Sequence, residues 1–227
     1  QQLNTPSFNY FAINIPQSSL STLKLWFADK QIKHTAIYPM IKARLVKKNN
    51  MPIMAQLTPD QQTFNALHRS INISYSASLP NDNTLISGRW PPQKNEWSIE
   101  KEFAKSLGLK VGDNLTFIIS GEPVSGVISS VRQLIWQNMQ PNFYVLGHSS
   151  SLANYPSDSI VSFLVKKPEK IPLLVSLIPS INLIDLSSVF ELAHKITHLL
   201  VTIAIPFGIV TVIASILLSV AIYYGNK

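Results

Sequence analysis

AIYPMIKARLVKK, residues 36–48, is the stretch whose pattern decides the fold class. Ile41, Ala43 and Leu45 alternate with Lys42 and Arg44. A period of two predicts a strand with one buried face and one basic face turned to water. Upstream, FNYFAINI (Phe8 to Ile15) is rich in aromatic and β-branched residues and stops at Pro16, which predicts another strand. Between the two, Ser19 or Ser21 can cap a helix whose Leu20, Leu23 and Phe27 share a face. The three make a β-α-β unit.

A second unit lies near the other end. SIVSFLVKK (Ser159 to Lys167) predicts a strand, and Pro172 suits the first turn of a short helix over Ile171 to Ile178. INLIDL (Ile181 to Leu186) predicts the next strand. Two β-α-β units form a ferredoxin-like, or split β-α-β, pattern, so the expected class is α+β. The discontinuous first subdomain then covers 1–49 and 159–187. Residues 50–158 are too long and too patterned for a loop and predict an inserted mixed α/β subdomain. Within it, NISYS (Asn72 to Ser76) and Thr84 to Ser87 predict short strands. Ser98 is expected to cap a helix through IEKEFAKSL, stopped by Gly108. Gly112 and Asp113 punctuate a turn before the strand NLTFII. A hairpin is expected through Ser120 to Pro123, and NFYVL predicts a last strand.

The tail is of another kind. From Ile196 to Asn226 no Asp, Glu, Lys or Arg occurs. Leu199 to Tyr223 as a helix measures about 37 Å, enough to cross a hydrocarbon layer of about 30 Å. A transmembrane helix is therefore expected over 199–224, with Tyr223 and Tyr224 at the interface. Pro206 and Gly208 are tolerated there when neighbouring helices satisfy the freed backbone groups. Ser188-Val-Phe-Glu191 has the form of a capping box and starts a stalk helix over 188–198. Glu191, His194, Lys195 and His198 recur along it at helical spacing. Glu191, His194 and His198 could also ligate a metal. A solvated stalk face is the preferred reading, because no further oriented ligand accompanies them. The chain starts at Gln1, which is expected if a leader was removed or the chain was cut from something larger.

Composition narrows the function. Hydrophobic residues make up 46% and charged residues 14%, a bias that owes much to the tail. The net charge is +7, but the basic residues are scattered and no nucleic-acid motif accompanies them, so no nucleic-acid partner is expected. There is no cysteine, which excludes disulfides, thiolate zinc sites and thiol catalysis. No GxxxxGK[ST] stretch occurs, so ATP hydrolysis is not expected in this chain. Gly147-His-Ser-Ser-Ser151 lacks the closing glycine of a nucleophile elbow and reads as a serine-rich surface loop. Trp90, Trp97, Trp136 and Phe143 form either a binding groove or the insertion's aromatic core, the core being preferred for most of them. No catalytic residue, metal or cofactor is expected.

Several long stretches carry a resemblance. FNYFAINI, AIYPMIKARLVKKN, LISGRWPP, IEKEFAKSLGLKVGDNLTF and SSVRQLIWQNMQPNFYVL, in this order, resemble an extracytoplasmic domain of MacB/FtsX-type ABC transporter permeases. More narrowly, they resemble the second periplasmic domain of large permeases linked to lysophospholipase L1 biosynthesis. The resemblance implies a "porter" part with an inserted "sabre" part, set between membrane helices. It implies residues 1–197 outside the cytoplasm and a bacterial inner (plasma) membrane location. It also implies a cytoplasmic ABC ATPase partner, a periplasmic thioesterase/lysophospholipase, contact with membrane lipid, and handling of hydrophobic or lipid-like substrates by mechanotransmission. Arg132, Trp136, Asn142 and Phe143, within SVRQLIWQNMQPNF, are the candidate partner or ligand face. Ser188, Glu191, His194, Lys195 and His198 form the candidate coupling stalk. Two other functions fit the same features: a single-pass sensor ectodomain, and a membrane-anchored hydrolase using Ser149 or Ser150.

Overall fold

The computed structural model describes residues 8–135 and 139–186, together with Lys195, Ile196, Leu199, Thr202, Ile205, Phe207, Thr211 and Ser215. Contacts divide the chain into two units, Gln1–Ile184 and Asp185–Lys227. The first is a mixed α+β, sheet-rich fold. Its strands are β1 (Tyr10–Ile15), β2 (Lys33–His34), β3 (Tyr38–Lys48), β4 (Met51–Pro52), β5 (Ile71–Tyr75), β6 (Asn83–Gly88), β7 (Glu96–Glu100), β8 (Asn114–Ile119), β9 (Glu122–Leu134), β10 (Val145–Gly147), β11 (Asp158–Leu164) and β12 (Asn182–Asp185). Its helices are α1 (Leu20–Asp29), α2 (Pro59–Gln62), α3 (Asn65–His68), α4 (Lys101–Ser106), α5 (Ser149–Leu152) and α6 (Ile171–Leu177).

One end of the unit is built from β1, α1, β11, α6 and β12. The strands lie in the order β12-β1-β11-β3, with β2 also on β11. Tyr10 and Ala12 of β1 face the core, as the alternation requires. Asn14 then takes a left-handed φ of 55°, the register on β11 shifts between Ala12 and Ile15, and Ile15 returns to the core. The α1 residues Leu23, Trp26 and Phe27 and the α6 residue Leu174 cover this sheet. Phe163 is the hub: Tyr10 stacks on it at 5.7 Å, and Phe27 lies at 5.4 Å.

The expected period of two in β3 holds: Ile41, Ala43 and Leu45 are buried while Lys42 and Arg44 are exposed. The strand serves two cores. Tyr38 to Met40 pair with β11, whereas Ile41 to Ala43 pair with β5 and Ala43 to Lys48 pair with β8.

Beyond Met40 the pairings close on themselves. β3 pairs antiparallel with β5, β5 parallel with β10, and β10 antiparallel with β7. β7 pairs parallel with β9, β9 antiparallel with β8, and β8 antiparallel with β3. This ring is a small six-stranded barrel, and every strand sends side chains into it: Leu45, Ile73, Val145, Trp97, Ile128 and Phe117 among them. Trp97 fills the interior. A Cβ on Gly126 would lie 2.7 Å from its Nε1, and one on Gly147 would lie 2.8 Å from its Cζ3. Both glycines are therefore space for the indole. The turn between β8 and β9 is Ser120-Gly121, with φ of 51° and 91°, as the hairpin reading requires.

Two local expectations are corrected. Ser98 does not cap a helix; it lies buried in β7, between β9 and β10. The helix starts at Lys101, and Glu100 caps it by accepting from Glu102 N at 2.8 Å and Phe103 N at 2.6 Å. Strand pairing claimed Trp97 to Glu100 before the helix could. NFYVL likewise becomes strand only from Val145, because Phe143 and Tyr144 give their carbonyls to Arg132 and to Glu100 N. The Thr58–Gln61 capping box of α2 is an element that the sequence reading passed over.

In the second unit Lys195, Ile196, Leu199, Thr202, Ile205, Phe207, Thr211 and Ser215 are helical. Among the described residues no helix is long and apolar enough to cross a membrane. Most of the span expected over 199–224, and the capping box Ser188–Glu191, lie outside the described residues.

Candidate functional site

Strand β9 presents Ser130 and Arg132 on one side, and its parallel neighbour β7 presents Ser98 in register with Ser130. The two hydroxyls are 2.7 Å apart. Arg132 is fully buried. Its Nε donates to Ser98 Oγ at 2.9 Å, and one terminal nitrogen donates to Ser98 O at 3.3 Å and Phe143 O at 3.1 Å. The other donates to Asn83 Oδ1. Asn83 Nδ2 donates in turn to Asp82 Oδ1 at 2.9 Å and to Asn142 Oδ1 at 3.3 Å. Asn142 Nδ2 donates to Asp82 Oδ2 at 2.7 Å, and Asp82 O accepts from Ile135 N at 3.0 Å. Burial pushes the Arg132 guanidinium down to about 10, against the opposing pull of the Glu100 and Asp82 carboxylates.

The structure thus brings Arg132, Asn142 and Phe143 together, with Arg132 and Phe143 buried and Asn142 half-buried. Phe143 is buried, with its ring 6.0 Å from that of Tyr38. Trp136 lies outside the described residues. The arrangement braces β6, β7, β9 and the segment 142–144, and it sets the shape of that side of the barrel, where Asn142 and Phe143 also line an open cavity with Arg69 and Asn72. Asp82, Asn83, Ser98 and Ser130 complete it. Nothing in the sequence marks them beyond a polar pair before a strand and two serines within strands, since their partners are far away in the chain.

Of the other candidates, Trp97 is core and Trp90 is half-buried. Lys195 is exposed on a helix; Ser188, Glu191, His194 and His198 lie outside the described residues. Among the described residues no cluster of three His, Cys, Asp or Glu could hold a metal ion. The serine-rich stretch does stand between a strand and a helix, contrary to expectation, but the helix is one turn long. His148 is its N-cap: its Nδ1 accepts from Ser150 N at 3.1 Å and lies 2.6 Å from Ser150 Oγ. That is a local capping geometry, with Ser150 the hydrogen-bond partner of the imidazole.

An open groove of about 750 Å³ runs along the basic face of β3. Lys42 and Arg44 line it with Ser18, Ser120 and Ser157, beside the apolar Met40 and Ile118. Asp158 also lines it, and neither cation has an ion-pair partner among the described residues. Chemically, this offers two cations and hydroxyl groups to an anionic group.

What the fold and these sites define is a sheet-rich α+β domain with an open basic groove and a buried polar brace. Comparison places it further. The chain is 30% identical over 192 residues to the uncharacterized ABC transporter permease YbbP of Escherichia coli K12, which covers 84% of this chain and 23% of that protein. It is a distant homologue of part of an ABC transporter permease, spanning about a quarter of its relative's length. A solved domain assigned to a permease of Porphyromonas gingivalis superposes with a TM-score of 0.37 at 12% identity, over 78% of this chain and 86% of that one, a likeness too slight to carry an argument. No family model matches the chain.

Proposed function

We propose that this chain is the extracytoplasmic domain, with a stalk and one membrane span, of an ABC transporter permease of the MacB/FtsX type. The observation that carries the permease part of this reading is the 30% identity to a permease across 84% of the chain. The strand order β12-β1-β11-β3, with α1 and α6 covering those strands, supports a ferredoxin-like porter part. The barrel core supports a separate, sabre-like part made by 50–158 together with the Ile41–Lys48 half of β3. On this reading residues 1–197 are periplasmic, the span 199–224 sits in the inner membrane, and the chain itself is non-catalytic. A cytoplasmic ATPase supplies the work, and the permease handles hydrophobic or lipid-like molecules beside a periplasmic thioesterase/lysophospholipase.

The proposed mechanism is mechanical. β12 ends at Asp185 and Leu186 is already helical, so the link between domain and stalk has little slack and contains neither Pro nor Gly. Movement of the stalk would then carry the domain as a rigid body. The test is a Gly-Ser-Gly-Ser insertion between Leu186 and Ser187 in the intact permease assembled with its ATPase. ATP turnover is expected to persist while transport or extraction falls. Transport at the wild-type rate from an intact complex would make the stalk a tether and retire the lever. Orientation is tested separately: protease added to spheroplasts should digest the domain, and protection until lysis would overturn the periplasmic assignment.

A further inference from the structure

We infer that the outer side of the α1–α6 helix layer, with the lysine-rich end beside it, rests on the surface of an anionic lipid bilayer. This rests on the membrane reading above and deepens it by naming the surface of the domain that meets lipid.

The helices expose large apolar side chains beside their polar ones. In α1, Leu23, Trp26 and Phe27 point into the core. Leu25 falls on the opposite side of the helix by the 100° step and is 71% exposed. In α6, Leu174 is buried, whereas Leu173 and Leu177, one turn apart, are 45% and 48% exposed. Val175 is exposed as well. Ser21, Lys24 and Asp29 share the exposed side of α1 and Ser176 that of α6, so the layer mixes apolar with polar side chains, as an interfacial helix does.

The adjoining end is basic. Here α1 finishes, β2 begins, β11 runs out and α6 starts. These places carry Lys30, Lys33, Lys166, Lys167 and Lys170 against the carboxylates Asp29 and Glu169. Lys170 Nζ donates to Lys30 O at 3.3 Å, so the ends of the two helices meet. Asp29 is engaged by Lys30 at 2.6 Å, and that hydrogen bond and charge hold its carboxyl below the usual range. Lys33 lies over the Phe8 ring at 5.8 Å, and His34 stacks on Phe27.

Exposed leucines beside lysines suit a bilayer interface. Apolar side chains enter the boundary between headgroups and acyl chains, while lysine stems reach to anionic headgroups. A protein partner is the poorer fit: cores of protein interfaces are depleted in lysine and enriched in Tyr, Trp and Arg, and the residues named here are Leu, Val and Lys.

The chain has no cysteine, so single cysteines can be labelled without background. The full chain would be placed in nanodiscs of phosphatidylethanolamine and phosphatidylglycerol with brominated acyl chains. A bimane label would be read at Leu173→Cys, Leu177→Cys, Ile205→Cys and Val127→Cys. Ile205 reports on insertion of the span, and Val127, exposed on the barrel strand β9, is the distant control. Quenching is expected at 173, 177 and 205 but not at 127. It should weaken at 173 and 177 in phosphatidylcholine discs. Replacing Lys33, Lys166 and Lys167 by Gln should weaken lipid association by about fivefold per lysine. Quenching at 205 without quenching at 173 and 177 would overturn this inference while leaving the membrane reading intact. Absence of quenching at 205 would overturn both. Quenching at 173 and 177 that ignores lipid charge would overturn the role given to the lysines.

Discussion

Replacing Trp97 by Ala should cost about 3–5 kcal/mol, the range for emptying a large aromatic site in a core. Trp97 is 1% exposed. Its ring meets Phe117 edge-on at 5.1 Å, and its Nε1 donates to Leu115 O at 3.3 Å. The hydrogen bond accounts for about 1 kcal/mol of the loss and the aromatic contact for about 0.5–1.5 kcal/mol. Against a typical domain stability of about 5–15 kcal/mol, such a loss is a large fraction of the whole. The glycines sharpen the test. Gly147→Ala alone places a methyl 2.8 Å from the indole and 2.8 Å from Leu152 Cδ1, and overpacking of this kind costs about 1–3 kcal/mol. In the Trp97→Ala background the indole is gone and the Leu152 methyl can turn aside. The double variant should therefore be more stable than the sum of the single losses, by about 1 kcal/mol or more. Urea denaturation in detergent, followed by far-ultraviolet circular dichroism, measures all four corners of the cycle. Strict additivity, or a loss below about 1 kcal/mol for Trp97→Ala, would refute the claim that the barrel is built around this side chain.

Arg132→Ala should destabilise the domain by about 3–5 kcal/mol, because Asn83 Oδ1 and the Ser98 and Phe143 carbonyls lose their common donor inside the protein. Arg132→Met, which removes the buried charge while keeping bulk, should cost less; the order of the two melting temperatures checks this. Glu100→Ala should cost about 1 kcal/mol and speed amide exchange at Glu102 and Phe103, whereas Glu100→Gln should keep part of the cap. Burial tends to raise the Asp113 carboxyl, but Asn49 Nδ2 at 2.8 Å, Lys110 N at 2.9 Å and Lys48 at 3.4 Å outweigh it and hold it below its ordinary value. A lowered folded pKa means stability present above the unfolded value of about 3.9 and lost as pH falls through the folded one. Asp113→Asn should therefore flatten the acid limb of the stability curve below about pH 4, and an unchanged limb would show that these contacts add nothing.

Local chemistry made much of this protein legible in its sequence. The alternation Ile41, Lys42, Ala43, Arg44, Leu45 could only be a strand with one wet face, because a strand turns its side chains to opposite sides with a period of two. Ser120 to Pro123 marked the hairpin by its turn residues, and the structure narrows the turn to Ser120-Gly121, both left-handed. Pro172 marked the start of α6, because its missing N–H costs nothing in a first turn. The tertiary structure decided what depends on partners far along the chain. That β3 leaves one sheet at Met40 and closes a barrel at Ile41 follows from pairings with residues near 71, 119 and 158. Ser98 could cap a helix by its residue type, yet it became strand because β9 and β10 bond to it on both sides. Arg132 reads as part of a partner or ligand face from the polar and aromatic stretch SVRQLIWQNMQPNF around it. Its burial depends on acceptors at Asn83, Ser98 and Phe143, which meet only when β6, β7 and β9 are already in place, and no local pattern encodes that meeting.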